Sequence, residues 1–134
     1  MKAFQLKIVT PDGVQFDGTA EDLIVRTTTG DVGILAGHIN YVASLGMGQA
    51  TVITDGQKRY GACIGGMVSV VDGNVTLLPT TFEWADAIDT DRLLASEQRA
   101  QQVLSDKNAS STDILLAQAR LKRALVRKGV ASRK

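Results

Sequence analysis

Arginine is the residue type in this chain whose number and spacing most clearly suggest a chemical role. Arg120, Arg123 and Arg127 are three and four residues apart, so on a helix they would lie on one face. Arg92 and Arg99 are seven residues apart and would share a face of an earlier helix. If the two helices fold together, the two rows converge into a pocket of guanidinium groups suited to phosphate. On spacing alone, a solvent-exposed basic face is the simpler interpretation.

The side chains that act as nucleophiles, bases and metal ligands are too few to indicate an enzyme. The chain has one histidine, His38, and one cysteine, Cys63, far apart in sequence. They form neither a recognisable catalytic pair nor a zinc site. No Gly-Lys-Ser/Thr sequence ends a glycine-rich stretch, so a phosphate-binding P-loop is excluded as well. We therefore predict a protein with no catalytic residues, no metal and no required cofactor.

Residues 30–38 are the stretch in which glycines, an acid and the single histidine are crowded together. Three glycines would destabilise a helix and give a strand few side chains to pack, so we predict a shaped, exposed loop. Ile34 and Leu35 are expected to anchor this loop to the core. Asp31 and His38 would then face a partner, because loops on a rigid scaffold often carry binding function.

Residues 1–86 have the pattern of β-structure. Apolar and polar residues alternate over residues 4–8, which is the period of a half-buried strand. Asp55-Gly56 and Asp72-Gly73 each separate two apolar runs, which predicts two β-hairpins. Gly65-Gly66, inside an apolar run, predicts a bulge or a close backbone approach more than a ligand site. Short strands with turn residues between them favour an antiparallel β-sandwich or flattened barrel.

Residues 87–134 change to a helical period. Asp89 is suited to cap the first helix, with Ile88 and Leu93 at the positions of a hydrophobic staple. A break at residues 107–111 ends this helix and supplies a serine cap for a second one. The predicted fold class is therefore α+β, with an N-terminal sandwich followed by an antiparallel two-helix hairpin. Each helix alone is close to the length of roughly 12 to 15 residues at which an isolated helix is only marginally stable in water. The hairpin is therefore expected to depend on packing against other elements and to be able to change its position.

The two parts of the chain differ in composition and in charge. Twelve of the 13 glycines and both prolines precede residue 87. Residues 1–86 contain five Lys/Arg and nine Asp/Glu, for a net charge of −4, while residues 87–134 contain ten and five, for +5. This contrast predicts two domains that attract each other, or a basic domain that reaches for an acidic partner. No apolar run approaches the roughly 18 residues of a membrane span, and no signal peptide is visible, so we expect a cytoplasmic location.

The glycine-rich stretch also resembles a known family. It reads Gly-Asp-x-Gly-Ile-Leu-x-Gly-His and follows a turn at residues 10–13 by about twenty residues. Gly65-Gly66 and the run at residues 73–78 come later. In order and spacing, these motifs closely resemble the epsilon subunit of rotary F-type ATP synthases, over nearly the whole chain. The chain departs from the family at Asn40, where a proline usually follows the histidine by two residues.

This resemblance implies a rotor-stalk role in a bacterial ATP synthase. The sandwich would join the gamma subunit to the membrane ring of c subunits, with Asp31 and His38 in the contact. The hairpin would be a regulator that permits turnover when folded on the sandwich. Extended along gamma towards the alpha and beta subunits, it would block ATP hydrolysis. The chain would then be a non-catalytic, peripheral subunit at the cytoplasmic face of the plasma membrane, touching the membrane only through the complex.

The resemblance also implies a regulatory ATP site. Some bacterial members bind ATP between the folded helices and carry Ile/Leu-Asp-x-x-Arg-Ala at the start of the first one. Ile88, Asp89 and Arg92 match this motif, whereas Leu93 replaces the alanine and is expected to crowd the adenine. The other matching residues are Glu83, Arg99, Arg123 and Arg127. The two acids are expected at the adenine end and the arginines of the second helix at the phosphates.

A nucleic-acid-binding module with a basic hairpin is the alternative from a different class. Phosphate affinity from lysine and arginine alone would be non-specific and would fall steeply with salt. Only 4% of the residues are aromatic, which leaves little material for stacking on bases. We therefore expect no nucleic-acid partner.

Overall fold

The computed structural model describes residues 2–133, which form ten strands, a short 3₁₀ helix and two α-helices. The strands are β1 (Phe4–Thr10), β2 (Gly13–Ala20), β3 (Asp22–Thr27), β4 (Gly30–Leu35), β5 (Tyr41–Ser44), β6 (Met47–Thr54), β7 (Gln57–Ile64), β8 (Met67–Val71), β9 (Asn74–Leu78) and β10 (Thr81–Trp84). The 3₁₀ helix (Ala85–Ala87) leads to α1 (Thr90–Ser105) and α2 (Ser111–Ala131). The predicted α+β fold class is confirmed.

The strands form two five-stranded sheets, in the orders β2-β1-β9-β8-β5 and β10-β7-β6-β3-β4. Neighbouring strands run antiparallel except β1 and β9, which are parallel. The predicted antiparallel sandwich is thus observed with one parallel pair. Parallel neighbours need a long connection, and here the intervening strands of both sheets supply it.

The main hydrophobic core lies between the two sheets. Leu6 and Ile8 of the first sheet and Leu23 and Val52 of the second are fully buried in one cluster. Fully burying such a side chain contributes about 1.5–3 kcal/mol. The buried members of this cluster all lie between residues 4 and 82. Within the described chain, the sandwich therefore has a core to which the helices contribute no buried side chain.

The predicted turns and the close backbone approach are confirmed. Asp55 and Gly56 have φ values of 52° and 73°, as a two-residue hairpin turn of type I′ requires. Asp72 and Gly73 repeat this geometry, at 49° and 81°. Gly66 has a φ of 93°, and a Cβ there would run into the carbonyl oxygen of residue 78. Only glycine fits that position.

The prediction of a loop for residues 30–38 is wrong for most of the stretch. Gly30–Leu35 is an edge strand of the second sheet, and Ile34 lies opposite Leu23 in the ladder with β3. Ile34 is fully buried as expected, but Leu35 is 53% exposed. Pairing with β3 and burial of Ile34 outweigh the poor strand propensity of glycine. The chain turns only at Gly37, where φ is 83°.

The hairpin helices begin at the predicted caps. The Asp89 carboxylate accepts a hydrogen bond from the backbone N–H of Arg92 at 3.2 Å. The Ser110 hydroxyl accepts one from the backbone N–H of Asp113 at 3.1 Å. These bonds satisfy backbone donors that would otherwise lack partners, an effect of about 1 kcal/mol per cap.

The hairpin is folded against the sandwich. Helix α2 packs on β6, β7 and the 3₁₀ helix. A second buried cluster joins Ala62 of β7 and Ala85 of the 3₁₀ helix to Leu93, Ala124 and Val130 of the helices. None of the helices within residues 2–133 is both long and apolar enough to cross a membrane.

Candidate functional site

A cleft of about 630 Å³ lies where the last strand of the sandwich meets the hairpin. Strand β10 supplies Glu83, the cap of α1 supplies Asp89, and the first helix supplies Arg92 and Arg99 from one face, as their spacing predicts. Arg127 of α2 completes the charged lining. Five of the seven residues predicted for a nucleotide site therefore line one cleft, with Ala87, Ala95 and Ser96 between them.

A second cleft, of about 320 Å³, adjoins the first. It holds Arg123, the sixth predicted residue, together with Arg120. The two clefts have three lining residues in common, which are Glu83, Ser96 and Arg127. The spacing of Arg120 from Arg123 predicts this shared helix face, but the family resemblance does not include Arg120 among the residues of the ATP site.

Glu83 and Arg127 form an ion pair at the junction of the two clefts. Arg127 Nε lies 2.7 Å from Glu83 Oε1, and Nη2 donates a hydrogen bond to Oε2 at 3.1 Å. The side chains of Arg127 and Glu83 are 25% and 36% exposed. A two-point pair of this kind is geometrically specific, but its exposure limits its contribution to about 1 kcal/mol. It ties strand β10 to helix α2.

Ile88, the seventh predicted residue, is buried beneath the site and lines neither cleft. Leu93 is fully buried in the same cluster. Leu93 therefore lines neither of the two clefts. The staple geometry turns Leu93 towards the hydrophobic cluster, while Arg92, one position earlier on the helix, lines the cleft.

A second ion pair links the two helices outside the clefts. Lys128 Nζ of α2 lies 3.5 Å from Glu97 Oε2 of α1. The Glu97 side chain is only 13% exposed, whereas that of Lys128 is 54% exposed. Neither residue lines either of the two clefts. This pair holds the helices to each other and not to the sandwich.

Asp31, one of the two predicted contact residues, lies in strand β4 opposite Arg26 of β3. Arg26 Nε donates a hydrogen bond to Asp31 Oδ1 at 2.9 Å and Nη2 donates one to Oδ2 at 3.3 Å. The hydrogen bond from Arg26 lowers the pKa of the Asp31 carboxyl. Both residues also line a groove of about 640 Å³ beside the C-terminal half of α2. Asp31 is thus close to the hairpin as well as exposed.

His38, the other predicted contact residue, lies half-buried in the turn after β4. Its backbone N–H donates to the Leu35 carbonyl at 3.2 Å, and its ring lies edge-on to Tyr41 with the centroids 5.7 Å apart. Nδ1 lies 2.7 Å from the Ile39 carbonyl oxygen, which only accepts, so Nδ1 carries the proton. The ring is held in place, and Ile39 beside it is 78% exposed.

Comparison with known proteins identifies the family of this fold. Residues 3–85 match the model of the ATP synthase delta/epsilon chain β-sandwich domain. The ATP synthase epsilon chain of Ruminococcus albus is 42% identical over 135 residues, which cover 100% of both chains. The chain belongs to the ATP synthase epsilon chain family. The epsilon chain of Bacillus velezensis is likewise 42% identical, over 98% of each chain.

Chains in solved ATP synthases share the fold of this epsilon chain. One, in the Euglena gracilis mitochondrial ATP synthase structure of OSCP, F1 and c-ring, has a TM-score of 0.82 at 21% identity. The match covers 95% of this chain and 80% of that one. Another, in the central stalk and c-ring of Tetrahymena thermophila mitochondrial ATP synthase, has a TM-score of 0.60 at 11% identity, over 95% of each chain. At these identities the likeness concerns the fold alone.

The family resemblance read from the glycine motifs is therefore confirmed, and the chain is an epsilon subunit of ATP synthase. The family model ends at residue 85. Of the residues around the two clefts, it includes Glu83 but not the arginines of the hairpin. Those arginines lie in the part covered by the full-length relatives.

Proposed function

We propose that this epsilon subunit is a non-catalytic rotor component whose sandwich binds the gamma subunit and the c-ring and whose hairpin restrains ATP hydrolysis. Family membership supports the first part, and a fold neighbour in a central stalk and c-ring assembly agrees with it. Asp31 and His38 belong to the contact surface in this proposal. The subunit is peripheral on the cytoplasmic face and reaches the membrane only through the complex.

The single observation that carries the regulatory part is the way the hairpin docks. Its cluster with the sandwich consists largely of small side chains, including Ala62, Ala85 and Ala124. Burial stabilises by about 25 cal/mol per Å² of apolar area, so small side chains contribute little. The ion pair of Glu83 and Arg127 adds only a modest amount because both side chains are partly exposed. A weakly docked hairpin can leave the sandwich and extend along gamma towards the alpha and beta subunits.

We infer that ATP is the regulatory ligand of the folded hairpin. The two adjoining clefts offer guanidinium groups from both helices, at Arg92 and Arg99 on α1 and at Arg123 and Arg127 on α2. Asp89 and Glu83 line the larger cleft and suit the base. A ligand that binds only the folded form shifts the population towards it and so relieves inhibition. ATP here is a regulator, and no cofactor is required.

Calorimetric titration of the isolated chain with ATP tests this assignment. Arg123→Ala is expected to weaken ATP binding about ten- to a hundredfold, because one charge-assisted hydrogen bond contributes about 1.5–3 kcal/mol. Lys122→Ala is the matched control, since Lys122 is the neighbouring exposed cation and lines neither cleft. Equal losses in both variants, equal affinity for ATP and inorganic phosphate, or no binding at millimolar ATP would contradict the assignment.

A further inference from the structure

A small cavity of about 170 Å³ lies at an open edge of β7, apart from the two clefts. Strand β10 ends at Trp84, opposite Gly61, so no described strand covers this side of residues 57–60. The charged and aromatic residues that line the cavity are Lys58, Arg59, Tyr60, Trp84, Asp86 and Arg133. None of its lining residues belongs to either cleft.

Two arginines in this cavity lie over aromatic rings. The guanidinium carbon of Arg59 is 3.8 Å from the centre of the Trp84 ring, and that of Arg133 is 5.4 Å from the centre of the Tyr60 ring. A guanidinium group over a ring still has the N–H donors in its own plane available for an anion. Among residues 2–133, neither arginine side chain, nor that of Lys58, has an ion-pair or hydrogen-bond partner.

The three cations reach the cavity from different sides. Side chains alternate along a strand, so Lys58 and Tyr60 lie on one face of β7 and Arg59 lies on the other. Tyr60 packs against the buried cluster of the helices, whereas Trp84, the neighbour of Arg59, packs against the core between the sheets. Arg133 follows the end of α2. The cavity is therefore where cations from both faces of the sandwich strand meet a cation from the hairpin.

Size and charge favour a small oxyanion as the ligand of this cavity. Its volume is below the roughly 300–1,000 Å³ of pockets that hold drug-sized ligands, but well above the roughly 30 Å³ of one water molecule. Three cations and one acid, Asp86, give the lining a net charge of +2. Guanidinium groups match the oxygens of phosphate in geometry, and a divalent anion can accept hydrogen bonds from several cations at once.

We propose that this cavity binds inorganic phosphate, which bridges the sandwich to the end of α2. Lys58 and Arg59 hold the anion from β7, and Arg133 holds it from the hairpin. The three cations line one cavity only while the hairpin is folded, so phosphate stabilises the folded form by mass action. Binding at this site is independent of the nucleotide clefts, and only an effect on ATP hydrolysis rests on the function proposed above.

Trp84 provides a direct measurement of binding, because it is the only tryptophan of the chain and it lines the cavity. Phosphate is added to the full chain at constant ionic strength, maintained with chloride. We expect a saturable change in tryptophan fluorescence in the millimolar range, since exposed ion pairs are weak. Amide hydrogen exchange in the last turns of α2 should slow over the same range. Absence of both changes at tens of millimolar phosphate would overturn the site.

Two variants with opposite effects test the cavity lining. Lys58→Gln is expected to weaken phosphate binding about two- to fivefold, and Asp86→Asn is expected to strengthen it by a similar factor. The matched controls are Lys122→Gln and Asp91→Asn, which remove the same charges from exposed helix residues outside the cavity. Equal shifts in a variant and its control would show a general effect of charge and would contradict the proposal.

Arg133→Gln tests the bridge to the hairpin. We expect phosphate to change the fluorescence still, with lower affinity, but no longer to slow exchange in α2. Retained slowing would show that the anion does not bridge through Arg133.

Arg123→Ala tests whether the anion instead occupies the nucleotide clefts. A response lost in Arg123→Ala but kept in Lys58→Gln would place the phosphate there and overturn this site. Neither fluorescence nor exchange requires ATP or the assembled enzyme. Failure of the proposed brake, or of the regulatory nucleotide, is therefore distinguishable from failure of the phosphate site.

Discussion

Asp31 is paired within the sheet and is also a residue of the proposed assembly contact. Hydrogen bonding from Arg26 lowers the pKa of its carboxyl below the usual 3.8. A carboxyl with a lowered pKa in the folded state adds stability above its ordinary value and loses it as the pH falls through the folded-state pKa. The Arg26 and Asp31 side chains are 53% and 56% exposed, so this contribution is small. The pair is accessible to a partner subunit.

Charge reversal at Asp31 is expected to weaken assembly without unfolding the chain. Asp31→Lys places two cations opposite each other on β3 and β4 and removes an acid from the proposed contact. Co-purification with gamma and the c-ring measures assembly, and thermal melting measures the fold. Asp17→Lys is the control, because Asp17 is also an exposed strand acid opposite a cation, Lys7, but lies in the other sheet.

His38→Glu is expected to weaken assembly in the same way. The ring of His38 is fixed against Tyr41 and the Ile39 carbonyl, so a flexible anion changes both the shape and the charge of the turn. The same co-purification assay applies. Normal assembly of both the Asp31 and the His38 variants would show that this edge of the sandwich is not the contact.

The sequence predicted which arginines share a helix face, but not which acidic side chains they pair with. Helical spacing alone predicts that Arg92 and Arg99 share a face, and they do line one cleft. The contact of Glu83 with Arg127 joins residues 44 positions apart, on a strand and a helix. No local pattern encodes such a pair, because it depends on how α2 docks on the sandwich. The sequence therefore predicted Glu83 at one end of a ligand and Arg127 at the other, and it did not predict that the two side chains form an ion pair.

At the scale of the elements, the sequence predicted the features that depend on local residues, such as turns. It did not predict the features that depend on tertiary packing, such as strand pairing. The two hairpin turns follow from backbone conformations that Asp-Gly sequences favour. The parallel pairing of β1 with β9 and the strand at Gly30–Leu35 depend instead on neighbours distant in sequence. The glycine content of residues 30–35 suggested a loop, but this segment forms a strand because it pairs with β3 and buries Ile34.

Leu93→Ala is expected to release the hairpin from the sandwich. Leu93 is fully buried where the helices meet the 3₁₀ helix, and truncating such a leucine costs about 2–5 kcal/mol. Hydrogen exchange of α2 should rise while exchange in the β-sheet core stays unchanged. Leu94→Ala is the matched control, since Leu94 is 45% exposed. Unchanged exchange in α2 would mean that the docking does not depend on this cluster.

A fragment of residues 1–86 is expected to fold without the hairpin. It contains the ten strands and every buried residue of the core between the sheets. It loses the contacts of Ala62 and Ala85 with the helices and the ion pair of Glu83 with Arg127. A single cooperative melting transition with a β-sheet circular dichroism spectrum is the predicted result. A fragment that melts without cooperativity would show that the hairpin is part of one folding unit.

The whole molecule combines an acidic sandwich with a basic hairpin that is folded against it. The net charges of −4 and +5 favour the folded arrangement but are screened by salt, and the buried cluster between the parts is built mainly from small side chains. The two-part order and the charge contrast were visible in the sequence. The docking surface was only partly visible, since Ile88 and Leu93 occupy the predicted staple positions but no periodic pattern marks Ala62 and Ala85.

The most direct test of the proposed brake is the ATP hydrolysis rate of ATP synthase assembled with the intact chain or with a chain that lacks residues 88–134. The truncated subunit keeps the sandwich and should assemble normally, as its co-purification with gamma verifies. Because the hairpin is proposed to enter the catalytic head, its removal is predicted to raise hydrolysis under conditions in which the intact enzyme is inhibited, at low ATP above all. An equal hydrolysis rate in the two complexes under those conditions would contradict the account.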